Sequence, residues 1–173
     1  MCGRTSRNPP GIDIILIQCY SGWRASELIK LELSNVSLEE QTFRGGSKTN
    51  AGKDRIVPIH HLIYPLVEKR YREAKRLNSP RLFNVQTFVE GGFSFIYYEL
   101  YARQFKVIIN RLALDPRHHT HDCRKTFVTM AKRANVDEYA IKRIIGHQIA
   151  DLTERVYTDR SIDWLRSEIE KIH

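Results

Sequence analysis

Cysteine is scarce in this chain, and long apolar runs are missing from it. The three cysteines among 173 residues, Cys2, Cys19 and Cys123, are odd in number and form no C-x-x-C pair. That argues against a disulfide framework and for a reducing cytoplasm. The longest apolar run, Ile14 to Ile17, is far shorter than a bilayer span. Met1 to Pro10 is polar and contains no apolar core of a signal peptide, so a cytoplasmic location is expected. Neither repeats nor low-complexity segments occur.

What is present fits one globular domain. A hydrophobic content of 42% is enough to build a core and argues against disorder. Lysine and arginine number 28 against 20 acidic residues, a formal net charge of +8. A surplus of that size suggests a polyanionic partner, nucleic acid or an anionic membrane surface.

Met1 to Pro10 reads as an extended lead-in, and 11–173 as the domain. From Gly11 an apolar stretch predicts a buried helix, broken at Ser21-Gly22, with Arg24 exposed at the start of a second short helix. Asn35 to Arg44 and Asp54 to Ile59 alternate as strands of a small antiparallel sheet, with Gly45-Gly46 and Asn50-Ala51-Gly52 as turns. His61 to Leu77 predicts an amphipathic helix, residues 78–93 a loop, and Phe95 to Leu112 a second long helix. A helix starting at Thr120 or Asp122 carries Arg124, and Asp137 caps the next one, which ends at Ile145. Ser161 to His173 places Ile162, Leu165, Ile169 and Ile172 on one stripe. That helix either closes its own core or docks on a neighbouring copy. The expected class is α+β, mostly helical.

The stretch His121 to Tyr157 carries the chemistry. His121 and Arg124 stand three apart, on one helix face, and can address one anion together. His147 follows a glycine at a helix end, and Tyr157 comes ten residues later. Cationic and hydrogen-bonding groups with a hydroxyl nucleophile suit phosphoryl transfer.

His121-Asp122-Cys123-Arg124, Ile145-Gly146-His147 and Tyr157 resemble the H-x-x-R, Leu/Ile-Gly-His and Tyr pattern of the tyrosine recombinases, the phage-integrase family. Gly22-Trp23-Arg24-Ala25-Ser26-Glu27-Leu28 resembles that family's arginine box. Ser47 to Ile59 resembles its lysine-bearing hairpin. The resemblance covers residues 11–160 and implies the tyrosine-recombinase catalytic core, the DNA breaking-rejoining fold, with a small sheet on one side.

The resemblance also implies roles. Arg24 and Arg124 clamp the scissile phosphate, His121 serves as base or donor, and His147 is a second phosphate ligand. Lys48 is the acid for the leaving oxygen, with Lys53 as its competitor, and Glu27 orients a basic neighbour or His121. Tyr157 is the nucleophile, giving a 3′-phosphotyrosyl link and a free 5′-hydroxyl without metal or other cofactor. The implied partners are double-stranded DNA and further protomers, a tetramer on DNA and a monomer when free, with no membrane. The family's amino-terminal DNA-binding domain is expected to be absent from this chain. Two other readings remain open: a metal-dependent, relaxase-like nuclease using the His119-Thr120-His121 pair, and a DNA-binding protein without activity.

Overall fold

The structure is a computed structural model that describes residues 11–46, 52–87, 92–148 and 161–173. Helix α1 spans Ile12–Ser21 and buries Ile14, Ile17, Gln18 and Ser21, the i, i+3, i+4, i+7 face expected of one amphipathic stripe. It ends where Gly22 takes the left-handed conformation (φ 65) and returns its N–H to the Gln18 carbonyl at 3.0 Å. A side chain there would also collide: a Cβ on Gly22 would stand 2.7 Å from the Phe127 ring. The break expected at Ser21-Gly22 is therefore enforced by both backbone and packing. Helix α2, Ala25–Leu28, follows at once.

The small sheet has one strand more than the sequence pattern predicts. Asn35 to Arg44 is a hairpin: a 3-10 turn at Leu33–Asn35, then β1 (Val36–Ser37) antiparallel to β2 (Thr42–Gly45). The Ser37 hydroxyl accepts the Glu40 N–H at 3.1 Å, and Gln41 adopts φ 49, so the turn forms without glycine or proline. Strand β3 (Arg55–Pro58) pairs with β2 in the register Phe43 to Val57, and both of those side chains enter the core.

Helix α3 runs over Tyr64–Arg76 and begins beside Pro65, later than the expected His61, because proline suits the first helical turn. Leu62 thus lies ahead of the helix and is exposed. The segment expected to be a loop holds a second hairpin, β4 (Asn84–Gln86) with β5 (Phe93–Phe95). Phe93 and Phe95 alternate as a strand demands, and they delay α4 to Tyr98–Arg111. Helix α5 spans Asp122–Arg133. Asp137 then accepts the N–H groups of Tyr139 (2.8 Å) and Ala140 (3.4 Å), starting α6, Glu138–Ile145.

Helix α7, Ile162–Ile169, closes its own domain. Leu165, Ile169 and Ile172 are buried against the rest of the chain, with α7 packed on β3 and α6. Polar contacts fix the same docking: the Asp137 N–H donates to Glu168 at 2.8 Å, and a His60 ring nitrogen lies 2.9 Å from the Ile172 carbonyl oxygen. One core joins α1, α5, α6, α7 and the three-stranded sheet.

Candidate active site

The site is built around the carbonyls of two helix ends. Arg124 projects from the first turn of α5 and is buried. Its Nη1 donates to the Gly22 carbonyl at 2.7 Å, and its Nη2 donates to the carbonyl of Ile145. Those bonds use two of its five N–H donors. They bring the carboxyl ends of α1 and α6 together, and with them the residues that follow each: Arg24 and His147.

Gln18 secures the same junction from behind. Wholly buried, it donates from Nε2 to the carbonyls of Trp23 (3.1 Å) and Thr120 (3.0 Å), and its Oε1 accepts the Tyr101 hydroxyl at 2.6 Å. The loop before Arg24 is thereby tied to the segment that leads into His121.

Arg24 stands at the amino end of α2, and its side chain is only 17% exposed, more enclosed than the sequence suggests. Glu27 reaches its Nη1 at 3.4 Å and, with the other carboxylate oxygen, reaches Arg55 Nη2 at 3.0 Å. Of the partners expected for Glu27, the basic neighbours are the ones it meets. His121 occupies the residue just before α5 and is exposed, with Arg124 buried one turn behind it.

His147 follows Gly146, whose left-handed conformation (φ 67) ends α6, and its N–H returns to the Lys142 carbonyl at 2.9 Å. A Cβ on Gly146 would stand 2.7 Å from Gly52 Cα, so the turn also abuts the end of the lysine hairpin. Lys48 and Tyr157 lie outside the described residues. Lys53, the competitor of Lys48, is exposed.

Three guanidinium groups close together need an explanation in energy. Burial, followed by the charges of Arg24 and Arg55, pushes Arg124 down to about 10, while Glu27 opposes the shift. Arg124 thus remains a cation at neutral pH. Burial and then the Arg124 and Arg24 charges lower the pKa of His147. Although His121 is largely exposed, partial desolvation of its ring and then the positive charges of Arg124, Lys125 and His119 lower its pKa. Both imidazoles are therefore held toward the neutral form, which for His121 is the form able to accept a proton. The result is a concentration of positive charge with one carboxylate inside it, suited to a phosphate anion.

One contributor escaped the sequence reading. Arg55 reads in the sequence only as part of the Asp54 to Ile59 strand that ends the lysine-bearing hairpin, yet its guanidinium is buried and donates three hydrogen bonds. Nε donates to the Ile144 carbonyl (2.9 Å), Nη1 to the Gly52 carbonyl (3.0 Å) and Nη2 to Glu27 (3.0 Å). The group also lies 4.0 Å above the Trp23 ring.

The histidine run is held on a carboxylate. Asp122 accepts the His119 N–H at 3.0 Å, and the His118 ring nitrogen lies 3.3 Å from it. Among the described residues, the one His/Glu grouping with metal-ligand spacing is His60, His61 and Glu170. There, His60 Nδ1 accepts the Leu62 N–H at 3.1 Å and Nε2 faces the Ile172 carbonyl, so both ring nitrogens already have partners.

The model of the phage integrase family matches residues 12–162, a span that includes Arg24, Glu27, Arg55, His121, Arg124 and His147. This chain belongs to the phage integrase family. Among curated relatives, this integrase-family chain is 28% identical over 153 residues to tyrosine recombinase XerC of Shewanella oneidensis, covering 88% of this chain and 48% of that protein. It is similar in structure to the integrase from mycobacterium phage Brujita, with TM-score 0.72 and 18% identity over 98% of this chain and 54% of that one. It is also similar to the XerH site-specific recombinase bound to difH substrate in a pre-cleavage complex, with TM-score 0.62 and 22% identity over 96% and 48%. These likenesses establish the fold as that of the recombinase catalytic domains. The chain spans about half the length of the curated relatives it matches. Among the described residues no helix is long and apolar enough to cross a membrane.

Proposed function

We propose that this chain is the catalytic domain of a site-specific DNA recombinase that cuts and rejoins strands by transesterification. The observation that carries the reading is the junction at Gly22 and Ile145, where Arg124 binds both carbonyls and so gathers Arg24 and His147 beside itself. Family membership supplies the substrate class, and the structurally similar XerH recombinase is bound to its difH substrate.

In this reading Arg24 and Arg124 donate paired hydrogen bonds to the non-bridging oxygens of one phosphodiester. His147 adds a third donor. Tyr157 attacks phosphorus in line, its hydroxyl proton passing to neutral His121, and Lys48 protonates the departing 5′-oxygen. A P–O bond to tyrosine forms as the P–O5′ bond breaks. One phosphodiester replaces another, so a second 5′-hydroxyl can reverse the step and complete exchange. The partners are double-stranded DNA and further protomers assembled as a tetramer on it, in the cytoplasm.

A nicked suicide substrate carrying the native core site tests this directly. Wild-type protein should form a covalent adduct that persists in EDTA, and Tyr157→Phe should form none while binding DNA within a few-fold of wild type. Loss of the adduct in EDTA would favour the metal-dependent nuclease. No adduct from wild type, with binding intact, would favour a DNA-binding protein without activity.

A further inference from the structure

Arg55 is placed among the phosphate-binding candidates without being one of them. It is buried, and its guanidinium donates to three separate elements: the carboxyl end of α6 at Ile144, the hairpin at Gly52, and Glu27 of α2. Each of those contacts lies next to a candidate site residue. Ile144 immediately precedes Ile145, the carbonyl that Arg124 binds, and His147 follows two positions later. Glu27 holds Arg24 with its second oxygen. The Trp23 ring under the guanidinium belongs to the residue before Arg24.

We infer that Arg55 is a positioning residue for phosphodiester cleavage, acting through Glu27 on Arg24 and through the Ile144 carbonyl on the turn that carries His147. This rests on the recombinase reading of the site. The geometry explains why an arginine is needed. Three donors fan out in one plane toward two carbonyls and a carboxylate, while the flat face rests on an indole; an ammonium cannot reproduce that arrangement. The charge also has a purpose. Without it, Glu27 would lose a cationic partner that competes with Arg24 and could draw the Arg24 guanidinium away from an incoming phosphate. Arg55, with the shorter contact (3.0 Å against 3.4 Å), keeps the carboxylate divided between two cations.

A simple staple of the fold would satisfy the same contacts, so the test must read chemistry separately from stability. Single-turnover cleavage is measured for wild type, Arg24→Ala and Arg55→Lys on two nicked DNA substrates. One has an ordinary scissile phosphodiester and the other has a methylphosphonate there, which removes the non-bridging negative charge that the arginines stabilise. Arg24→Ala should be far slower on the diester and much less impaired on the methylphosphonate. If Arg55 positions Arg24, Arg55→Lys shares that pattern, losing about 10²-fold on the diester, as a misplaced group does, with DNA affinity unchanged within about twofold.

Equal losses on both substrates, or a defect that disappears when the assay is cooled below the melting transition, would overturn the inference and leave a structural staple. Unchanged cleavage by Arg55→Lys would overturn it too. Should that variant be unfolded at the assay temperature, Glu27→Gln, which keeps the shape of the link and removes its charge, must show the same substrate selectivity or the inference fails. An inactive wild type would instead sink the recombinase reading itself.

Discussion

Arg124 donates to the carbonyl of Gly22, two residues before Arg24, so one arginine of the proposed clamp fixes the backbone that presents the other. The two are consequently unequal. One is part of the fold's interior and the other is held at its edge.

That inequality predicts a split between stability and activity. Arg124→Ala leaves two buried carbonyls without their donor, at about 1–3 kcal/mol for each unsatisfied group. In a chain of this length, each 1 kcal/mol lowers the melting midpoint by about 2–4 °C. Arg24→Ala removes only a long pair with Glu27 and relieves repulsion with its cationic neighbours, so its midpoint should stay close to wild type. Both should lose cleavage by about 10²–10³-fold. Calorimetry beside the suicide-substrate assay separates them, and equal melting midpoints would contradict the asymmetry.

The proposed role of His121 as base sets a pH dependence for cleavage. Partial desolvation and nearby positive charge place its pKa below the ordinary 6.5, so the neutral base would persist to lower pH than a free imidazole. Single-turnover rates should hold steady from neutral pH to below 6.5 and then fall as the ring is protonated. An acid limb centred above 6.5 would mean that the base is another group.

His60 predicts a second pH effect, this time on stability. Its pKa is lowered, by burial first, against the opposing charge of Glu170, with His61 and His173 adding to the lowering. The unfolded chain therefore binds this proton more readily than the folded one. The contribution is present above pH 6.5 and is lost as pH falls from there through the folded-state value. A proton on Nδ1 would also displace the Leu62 N–H, which that nitrogen accepts in the folded state. Melting midpoints measured across pH 7 to 5 should decline, and His60→Gln, which can still donate to the Ile172 carbonyl, should flatten the decline.

Truncation after Arg160 should be strongly destabilising. Leu165, Ile169 and Ile172 lose nearly complete burial, at about 1.5–3 kcal/mol per side chain. The Asp137 N–H also loses its carboxylate partner. A truncated domain with an unaltered melting midpoint would show that α7 does not rest on this core in solution.

Much of this was legible in the text of the chain because local chemistry agreed with tertiary structure. The Ser21-Gly22 break, the Asp137 cap and the Gly146 helix end each carry a residue suited to the backbone that forms there. The β1–β2 hairpin was missed because its tight residue is Gln41, a side chain that advertises no turn; the Ser37–Glu40 bond that closes it involves a hydroxyl indistinguishable from any other. The β4–β5 pair has strands of three residues, too short for alternation to register. His121 and Arg124 were readable from spacing. Arg55 was not, because its contacts with Glu27 and Ile144 span 28 and 89 positions, and nothing local distinguishes a buried arginine from a solvated one. The choice between docking α7 on its own core or on a neighbour could not be read from an apolar stripe, which is the same in either case.

The junction that holds Arg24 also sets an order of events during synthesis. Gln18 waits for Thr120, and Gly22 waits for Arg124, each 102 positions later, while His60 waits 112 positions for Ile172. A nascent chain emerging from the ribosome therefore displays Arg24 long before Thr120 and Arg124, which fix the backbone around it, have been made. Polypeptides released early, by a stalled ribosome or a premature stop, carry the arginine box on an unanchored loop. In the proposed reading the phosphate clamp is assembled only after Arg124 has been made, and products cut short before it are expected to lack cleavage.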